Sequence, residues 1–568
     1  MRGRTHDAGT GGGGMRDIRQ VAEQLGFGDT DLELHGRYRA KVPLDALPDP
    51  SGNGSSARGK YVLVTAVTPT PAGEGKTVSA IGLSMGLNRI GRNAAVVLRQ
   101  SSLGPTLGLK GGGAGGGVSR IEPLEESLIG LGSDLFAVES ANNLLAALID
   151  DALMRESVRI DPATITWRRV IDMDDRGLRQ IVTGLGGKAN GILRETGFDI
   201  TAASEVMAVL GLSRDLADLR RRLAAIVVGF EEDGKPVTAE TLRGPGAMAM
   251  LLRDAIKPNL MQTSEGTPAF IHTGPFGNIA HGNSSVVADL IALPRADYLV
   301  TEAGFGADMG AEKLFHIKAP VSGLIPDAVV VVATVRALKY HSGRFDAILA
   351  AHTSKEIQQE DPSAVEAGAS NLDRHVRNMR QFGVPVVVAI NRFPTDHPSE
   401  LAAVRQAGSA AGALAVVEHS AFADGGAGAG ALASAVEDAC AQPSSFVPLY
   451  QPEQMLREKV HALATRMYGA ADVKWDRAAE LAVDRFTAAG YGNLPVCMAK
   501  THLSISHDPN LKGAPSGYVF PVRGARLSAG AGFVYVLAGD IVTMPGLPSR
   551  SRAAEIDLDA NGHTIGLV

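Results

Sequence analysis

Tyr61-Val-Leu-Val-Thr-Ala-Val67 breaks into Thr70-Pro-Ala-Gly-Glu-Gly-Lys-Thr77, and apolar residues then recur at Ile81, Leu83, Met85, Leu87 and Ile90. The β-branched run predicts a strand, and the spacing beyond the glycines predicts an amphipathic helix. Between them, Gly73 and Gly75 let backbone N–H groups turn inward. The helix directs its positive end to the same point, and Lys76 adds a charge there. Residues 70–77, which are Thr70, Pro71, Ala72, Gly73, Glu74, Gly75, Lys76 and Thr77, therefore read as a phosphate loop, with Thr77 placed to hold Mg²⁺. Thr70 stands where the usual G-x-x-x-x-G-K-[ST] pattern has its first glycine, so the motif is a variant. The bland alternative is a glycine-rich turn capping a helix.

A second short strand, Ala94-Ala-Val-Val-Leu98, delivers Arg99 at its end, ahead of Ser101-Ser-Leu-Gly-Pro-Thr106 and Lys110-Gly-Gly-Gly-Ala-Gly-Gly-Gly117. Ligands of open α/β sheets bind outside the carboxyl ends of strands, so Arg99 and the phosphate loop are expected on one edge. A guanidinium there can clamp a phosphate or acyl phosphate at two points, which lysine cannot reproduce. The glycine run lies inside the expected sheet region and predicts close approach of backbone to a ligand rather than a linker.

Composition narrows the classes. A chain of 568 residues with 45% hydrophobic content predicts several domains with sizeable cores. A net charge of −6, without long Lys/Arg runs, argues against nucleic acid or an anionic membrane as the main partner. Cys440 and Cys497 are the two cysteines, far apart, which supports neither a disulfide framework nor a cysteine zinc site. A reducing, cytoplasmic setting is expected. No apolar run reaches the roughly 20 residues that span a bilayer. Residues 1–14 lack the apolar core of a signal peptide and read as a disordered extension.

Further β-rich runs at Ala225-Ile-Val-Val-Gly229, Ala328-Val-Val-Val-Val-Ala333 and Val384-Pro-Val-Val-Val-Ala-Ile390 alternate with helical stretches such as 142–154. That alternation predicts a parallel α/β sheet. The fold class expected is α/β, with a P-loop NTPase-like parallel sheet core and two further, smaller α/β or α+β domains. Expected boundaries are 1–14 for the extension, 15–355 for the nucleotide-binding domain, 356–450 for a second α/β domain and 451–568 for a C-terminal domain. His272 and His281 flank Thr273-Gly-Pro-Phe-Gly-Asn278, but no H-E-x-x-H cluster accompanies them, so they are expected to be structural. Glu302 and Asp308 suit Mg²⁺ or substrate positioning about as well as helix capping.

Thr68-Pro-Thr-Pro-Ala-Gly-Glu-Gly-Lys-Thr77, Ser102-Leu-Gly-Pro105, Lys110-Gly-Gly, Ile165-Thr-Trp-Arg-Arg-Val170, Gly184-Leu-Gly-Gly-Lys-Ala-Asn190, Arg194-Glu-Thr-Gly-Phe-Asp199, Thr301-Glu-Ala-Gly-Phe-Gly-Ala-Asp308 and Leu527-Ser-Ala-Gly-Ala-Gly-Phe533 together resemble the formate–tetrahydrofolate ligases. The similarity runs from about residue 15 to Val568. The resemblance implies that ATP phosphorylates formate to formyl phosphate. N10 of tetrahydrofolate then attacks the formyl carbon, giving 10-formyltetrahydrofolate, ADP and phosphate. In this scheme Lys76 stabilises the transferred phosphoryl, Thr77 ligates Mg²⁺ and Arg99 grips formyl phosphate. The resemblance also implies an active-site position for Asp134, in Gly132-Ser-Asp-Leu135, where a helix N-cap is the alternative. It makes Phe393 and Pro394 one wall of the folate or adenine pocket and Phe422, where relatives usually have tryptophan, the other. Tetrahydrofolate is the expected co-substrate, a monovalent cation is a further option, and a homotetramer is the expected assembly.

Several positions depart from the family pattern. Gln100-Ser101-Ser102 stands where Glu-Pro-Ser is common. Gly130, Phe136 and Asn142 occupy positions that often carry histidine, and Glu418 replaces an apolar residue near Phe422. The rival readings are therefore a homologue that activates another carboxylate or uses another acceptor, and a nucleotide-bound scaffold with little ligase activity.

Overall fold

The computed structural model describes residues 14–49, 58–108, 113–345 and 356–567. The extension before Gly14, residues 50–57, Lys110-Gly-Gly112 and Ser354-Lys355 beside the expected 355/356 boundary lie outside the described residues. The run from Tyr61 belongs to strand β1 (Lys60–Ala66), and helix α1 (Lys76–Arg89) follows the glycine loop. Of the elements that bear on the site, the chain then forms β2 (Ala94–Leu98), α2 (Gly132–Arg155), α3 (Glu205–Leu212), β3 (Asn259–Thr263), β4 (Pro268–Ile271) and β5 (Tyr298–Glu302). After these come β6 (Ala328–Ala333), α4 (Pro362–Arg380), β7 (Val386–Asn391), α5 (Pro398–Ala410), β8 (Ala415–His419) and α6 (Gly430–Cys440).

The strands share one large sheet in the order β3-β4-β2-β5-β1-β6-β7-β8. From β4 to β8 every neighbouring pair is parallel. β3 is antiparallel to β4 and carries short antiparallel partners at Ala40–Lys41 and Ser119–Glu122. The expected α/β class with a large, mostly parallel sheet is therefore present. Both faces are covered, as a parallel sheet requires. In β6, Val329, Val331 and Ala333 join one core with Val365, Leu372 and Val376 of α4. Val330 and Val332 join another with Ile81, Leu83 and Met85 of α1 and Leu432 and Val436 of α6.

Two expectations about elements are corrected. Val227–Phe230 does not enter the parallel sheet: it pairs antiparallel with Pro236–Thr238 alone, because the Glu231-Glu-Asp-Gly234 turn folds it back locally. α1 is not amphipathic in its burial, since Val78–Leu87 is buried on all sides. Its outer face is closed by the segment 421–429. A Cβ on Gly82 would lie 2.3 Å from Ala421 Cβ, and one on Gly86 would lie 2.9 Å from the Ala429 carbonyl. Two glycines one turn apart thus admit a close neighbour where a polar face was expected.

Residues 356–450 contribute β7 and β8 to the same sheet. Residues 451–568 carry sheets of their own, including Val496–Ala499, Gly524–Ser528 and Phe533–Leu537. Among the described residues no helix is long and apolar enough to cross a membrane.

Candidate active site

Connectivity locates the crevice. The chain leaves β1 towards β2 on one side and passes from β5 to β6 on the other, so the strand order reverses and a crevice opens at the carboxyl end of β1. Residues 70–77, the expected phosphate loop, sit there. Gly73 and Gly75 adopt φ values of 75° and 74°, the left-handed region that favours glycine. A Cβ at Gly75 would lie 2.3 Å from Asn391 Nδ2. The loop is tied down from beneath: Thr70 N–H donates to Glu74 Oε1 at 2.7 Å, and Asn391 Nδ2, at the end of β7, donates to the Glu74 carbonyl at 3.1 Å. Among the described residues no side chain caps α1, and no acidic residue occupies its first turn. The N–H groups at the start of α1 and the helix dipole therefore face whatever anion enters.

The approach to the loop is held by buried histidines. Thr68 N–H donates to Asn371 Oδ1 at 3.1 Å, its hydroxyl lies 2.9 Å from His375 Nε2, and its carbonyl lies 2.9 Å from His341 Nε2. Ser79, in the first turns of α1, lies 3.0 Å from His419 Nε2. Burial holds His341, His375 and His419 each at a pKa of about 4, so all three are neutral near pH 7.

Thr77 and Arg99 meet through Glu302. The Thr77 hydroxyl donates to Glu302 Oε2 at 2.6 Å. Glu302 ends β5, which lies between β1 and β2, so it separates the loop after one from Arg99 after the other. Arg99 Nη1 donates to the Pro275 carbonyl at 3.3 Å, and its guanidinium packs against Gly304, where a Cβ would lie 2.9 Å from Nη2. Burial lowers the Arg99 pKa and the Glu302 carboxylate opposes that shift; the guanidinium stays charged. The loops after β4 and β5 each contain a left-handed residue that is not glycine, Thr273 (φ 48°) and Phe305 (φ 59°), a strain concentrated beside Arg99. Lys76, Thr77, Arg99 and Glu302 are thus brought to one edge. Glu302 and Asp308, six residues apart in one motif, take different partners: Glu302 meets Thr77, and Asp308 forms a buried 2.7 Å ion pair with Lys500.

Asp134 stands in the first turn of α2 but does not cap it. Its carboxylate takes Lys41 Nζ at 2.8 and 3.0 Å and Asn259 Nδ2 at 2.8 Å, joining the antiparallel end of the sheet to the helix. Three residues earlier, the Leu131 carbonyl accepts Gln100 Nε2 at 2.6 Å. Gln100 therefore acts as a donor to backbone, a task a carboxylate cannot perform. His272 is structural, with Ser285 Oγ at 2.6 Å and the Ala255 carbonyl at 2.7 Å, and burial lowers its pKa to about 3. His281 is buried with neither ring nitrogen partnered among the described residues.

The aromatic residues line a looser surface. Arg336 lies 3.9 Å over the ring of Phe393, whose N–H donates to Asp396 Oδ2 at 2.8 Å, and Pro394 is exposed. Phe422 is 53% exposed and packs on the glycine run, where a Cβ on Gly117 would lie 2.1 Å from its carbonyl. An open cleft of about 450 Å³ runs beside it, lined by Gly115–Val118, Arg120, Glu122 and Leu124. Of the described glycines in the run, Gly116 and Gly117 approach Phe422, whereas Gly115 packs against the Ser119 carbonyl. Glu418 does not present a free carboxylate to this cleft, since it pairs with Arg405 of α5 and lies 4.0 Å from Arg392. Of the positions expected to lack histidine together, Phe136 is 69% exposed, whereas Asn142 is buried and donates to the Arg168 carbonyl.

Sequence reasoning passed over Asn391, Asn371, His341, His375 and His419. Asn391 and His419 each end a strand at the same edge as Arg99, and that position was the available signal. Asn371 and His375 lie on α4, with no local signature.

A family model described as formate–tetrahydrofolate ligase matches residues 12–568. A curated formate–tetrahydrofolate ligase from Roseiflexus sp. is 55% identical over 554 residues, covering 97% of this chain and 98% of that protein. The ligase of that name from Saccharopolyspora erythraea is 53% identical over 555 residues, covering 97% of each. One from Chloroflexus aggregans is 52% identical over 562 residues, covering 97% of this chain and 98% of its own length.

Proposed function

The chain belongs to the formate–tetrahydrofolate ligase family, and from that premise we propose that the edge holding Lys76, Thr77, Arg99 and Glu302 is its active site. The protein is an enzyme that ligates formate to tetrahydrofolate with ATP. The observation that carries the site assignment is the convergence of an uncapped helix N-terminus, the Thr77–Glu302 contact and Arg99 at one strand switch.

In this reading the core is P-loop NTPase-like. Residues 70–77 cradle the ATP phosphates, and Lys76 offsets charge on the phosphoryl group in flight. The Thr77 hydroxyl and Glu302 carboxylate are hard oxygen donors 2.6 Å apart, a pair that fits Mg²⁺. Bound there, the ion would neutralise phosphate charge. A formate oxygen attacks the γ-phosphorus, the bond to the ADP oxygen breaks, and formyl phosphate forms. Arg99 holds that intermediate at two points. N10 of tetrahydrofolate then attacks the formyl carbon, phosphate departs with the C–O bond, and N10 loses its proton. Formate arrives as the nucleophile, so positioning and charge neutralisation supply most of the rate.

Asp134 acts here as a positioning residue. Held by Lys41 and Asn259, it fixes the start of α2, from which the Leu131 carbonyl holds Gln100 beside Arg99. Phe393, Pro394 and Phe422 receive the pterin or adenine ring, with the cleft beside Phe422 as the space available. The same reading carries a cytoplasmic homotetramer, a monovalent cation, and division at 15–355, 356–450 and 451–568. The deciding experiment is an ADP-release assay with formate and tetrahydrofolate each omitted in turn. ADP release that requires formate and yields 10-formyltetrahydrofolate only with both supports the reading. Release independent of formate defeats it.

A further inference from the structure

Three stretches that carry the family resemblance take no part in the phosphate site: Ile165–Val170, Arg194–Asp199 and Leu527–Phe533. In the folded chain they meet. With the start of α3 and Tyr535, they wall a cavity of about 60 Å³. One water needs roughly 10–15 Å³ by this measure, so the space accepts several waters or a molecule of roughly three to five heavy atoms.

The lining is polar and unevenly satisfied. Arg168 is committed, donating to Asp199 Oδ1 at 3.4 Å and to the Arg179 carbonyl at 3.3 Å. Asp199 also accepts the Thr543 hydroxyl at 2.6 Å. Glu205 Oε1 accepts the N–H groups of Gly530 and Ala531 at 2.7 and 3.3 Å, and burial raises its pKa to about 8. It is therefore mostly protonated near pH 7 and has an O–H to donate. Arg526 differs from these. Among the described residues its guanidinium makes one hydrogen bond, from Nη1 to Tyr535 Oη at 3.5 Å. A guanidinium carries five N–H donors in a fixed fork, and Arg526 is one of the residues that line the cavity, so most of its donors remain to serve a guest there.

An underused guanidinium fork, a neutral carboxyl group able to donate, and room for a few heavy atoms suit a small planar anion with two oxygens on one edge. We propose that this cavity binds a small carboxylate of formate size, clamped by Arg526, at a second site beyond the phosphate loop. The two places lie one loop apart. The Pro275 carbonyl holds Arg99, and Ile279, four residues on, lines the cavity. The proposal stands on the cavity and does not require the roles assigned to Lys76 or Arg99.

The test is thermal unfolding of the full chain in rising sodium formate, with ionic strength held constant by sodium chloride. It is run in an Arg99→Lys background to weaken formate binding at the phosphate site. Formate should raise Tm saturably, and adding Arg526→Gln should weaken the apparent formate affinity roughly tenfold or more, as loss of a charged hydrogen-bond pair would. Ala208→Val, which fills the cavity and keeps the charge, should do the same and decides the matter if Arg526→Gln fails to fold. Protection no greater than chloride gives would mean that the cavity holds water only, and the proposal fails. Formate protection unchanged by both cavity substitutions also overturns it. Full ligation by the Arg99→Lys enzyme would instead overturn the phosphate-site roles, leaving this proposal to the Arg526 and Ala208 results.

Discussion

The two parts of the proposed active site, a phosphate wall and an aromatic wall, are built in opposite ways. The phosphate wall is made of buried polar groups that already have partners: Thr68, Thr70 and Glu74 are each under 5% exposed, and Asn371, Asn391 and three neutral histidines hold the loop and its helix from behind. The aromatic wall has an exposed proline, a half-exposed phenylalanine and an open cleft. Charge recognition in a poorly hydrated site gains most when donors are fixed beforehand, because reorganising dipoles during reaction costs energy. Ring stacking depends on area and tolerates small displacements. The phosphate wall should therefore respond to mutation as a unit and the aromatic wall residue by residue.

The largest test of that difference is Lys76→Ala. Formate-dependent ADP release should fall on the order of 10²–10³, the scale for losing one preorganised charge contact, with the circular dichroism spectrum unchanged. Near-normal turnover would remove the phosphate wall from the mechanism. Arg99→Lys comes next: it keeps the charge but loses the fork, so ligation should drop roughly tenfold or more while ATP affinity holds. A parallel collapse of ATP affinity would move Arg99 to the nucleotide.

Acid should separate the walls as well. His341, His375 and His419 have folded pKa values of about 4, below the ordinary 6.5, so the unfolded chain takes up protons first as pH falls. Their contribution to stability is complete above about pH 6.5 and is lost progressively towards pH 4. Urea unfolding across that range, with ATP binding measured alongside, should show the phosphate site weakening together with the fold. Stability that stays flat through this window would contradict the assigned histidine environments.

Smaller effects follow. Gly75→Ala imposes a side chain on a left-handed residue whose Cβ would lie 2.3 Å from Asn391 Nδ2. It should cost about 1–2 kcal/mol in denaturant stability and weaken ATP binding as the loop shifts. An unchanged midpoint would show that the loop is less fixed than its contacts indicate. Phe422→Ala should have the smallest effect. The ring is already half-exposed, so calorimetry should find tetrahydrofolate binding weaker by about 1 kcal/mol, with ADP release from formate and ATP largely spared. Phe422→Trp should hold or improve that affinity. An equal loss of ADP release in Phe422→Ala would mean that the two walls are coupled after all.

Much of the proposed phosphate wall could be named from sequence because its residues are contiguous: glycines, a lysine and a threonine at fixed spacing after an apolar strand. Arg99 was legible for a related reason, since the end of a strand is a place that sequence can name. Glu302 was half-visible. Its motif stood out, but only the insertion of β5 between β1 and β2 puts it against Thr77, and Asp308, six residues later, turns to Lys500. The all-round burial of α1 was hidden because the segment that covers it, 421–429, lies more than 300 residues away in the chain.

The sequence alone determined what is local or long enough to be unmistakable: the α/β alternation, the strand–glycine loop–helix passage from Lys60 to Arg89, and a family resemblance spread across nearly the whole chain. Tertiary structure alone decided which strands neighbour β1, that Asp134 answers to Lys41, that Gln100 donates to a carbonyl, and that three separate stretches enclose the cavity at Arg526. The physical reason is range. Backbone conformation and loop chemistry follow from neighbours a few residues apart. The charge state and partner of a buried side chain depend on what the rest of the chain packs against it, and that is settled by burying apolar faces of β1, β6, α1 and α4 far from the charges themselves.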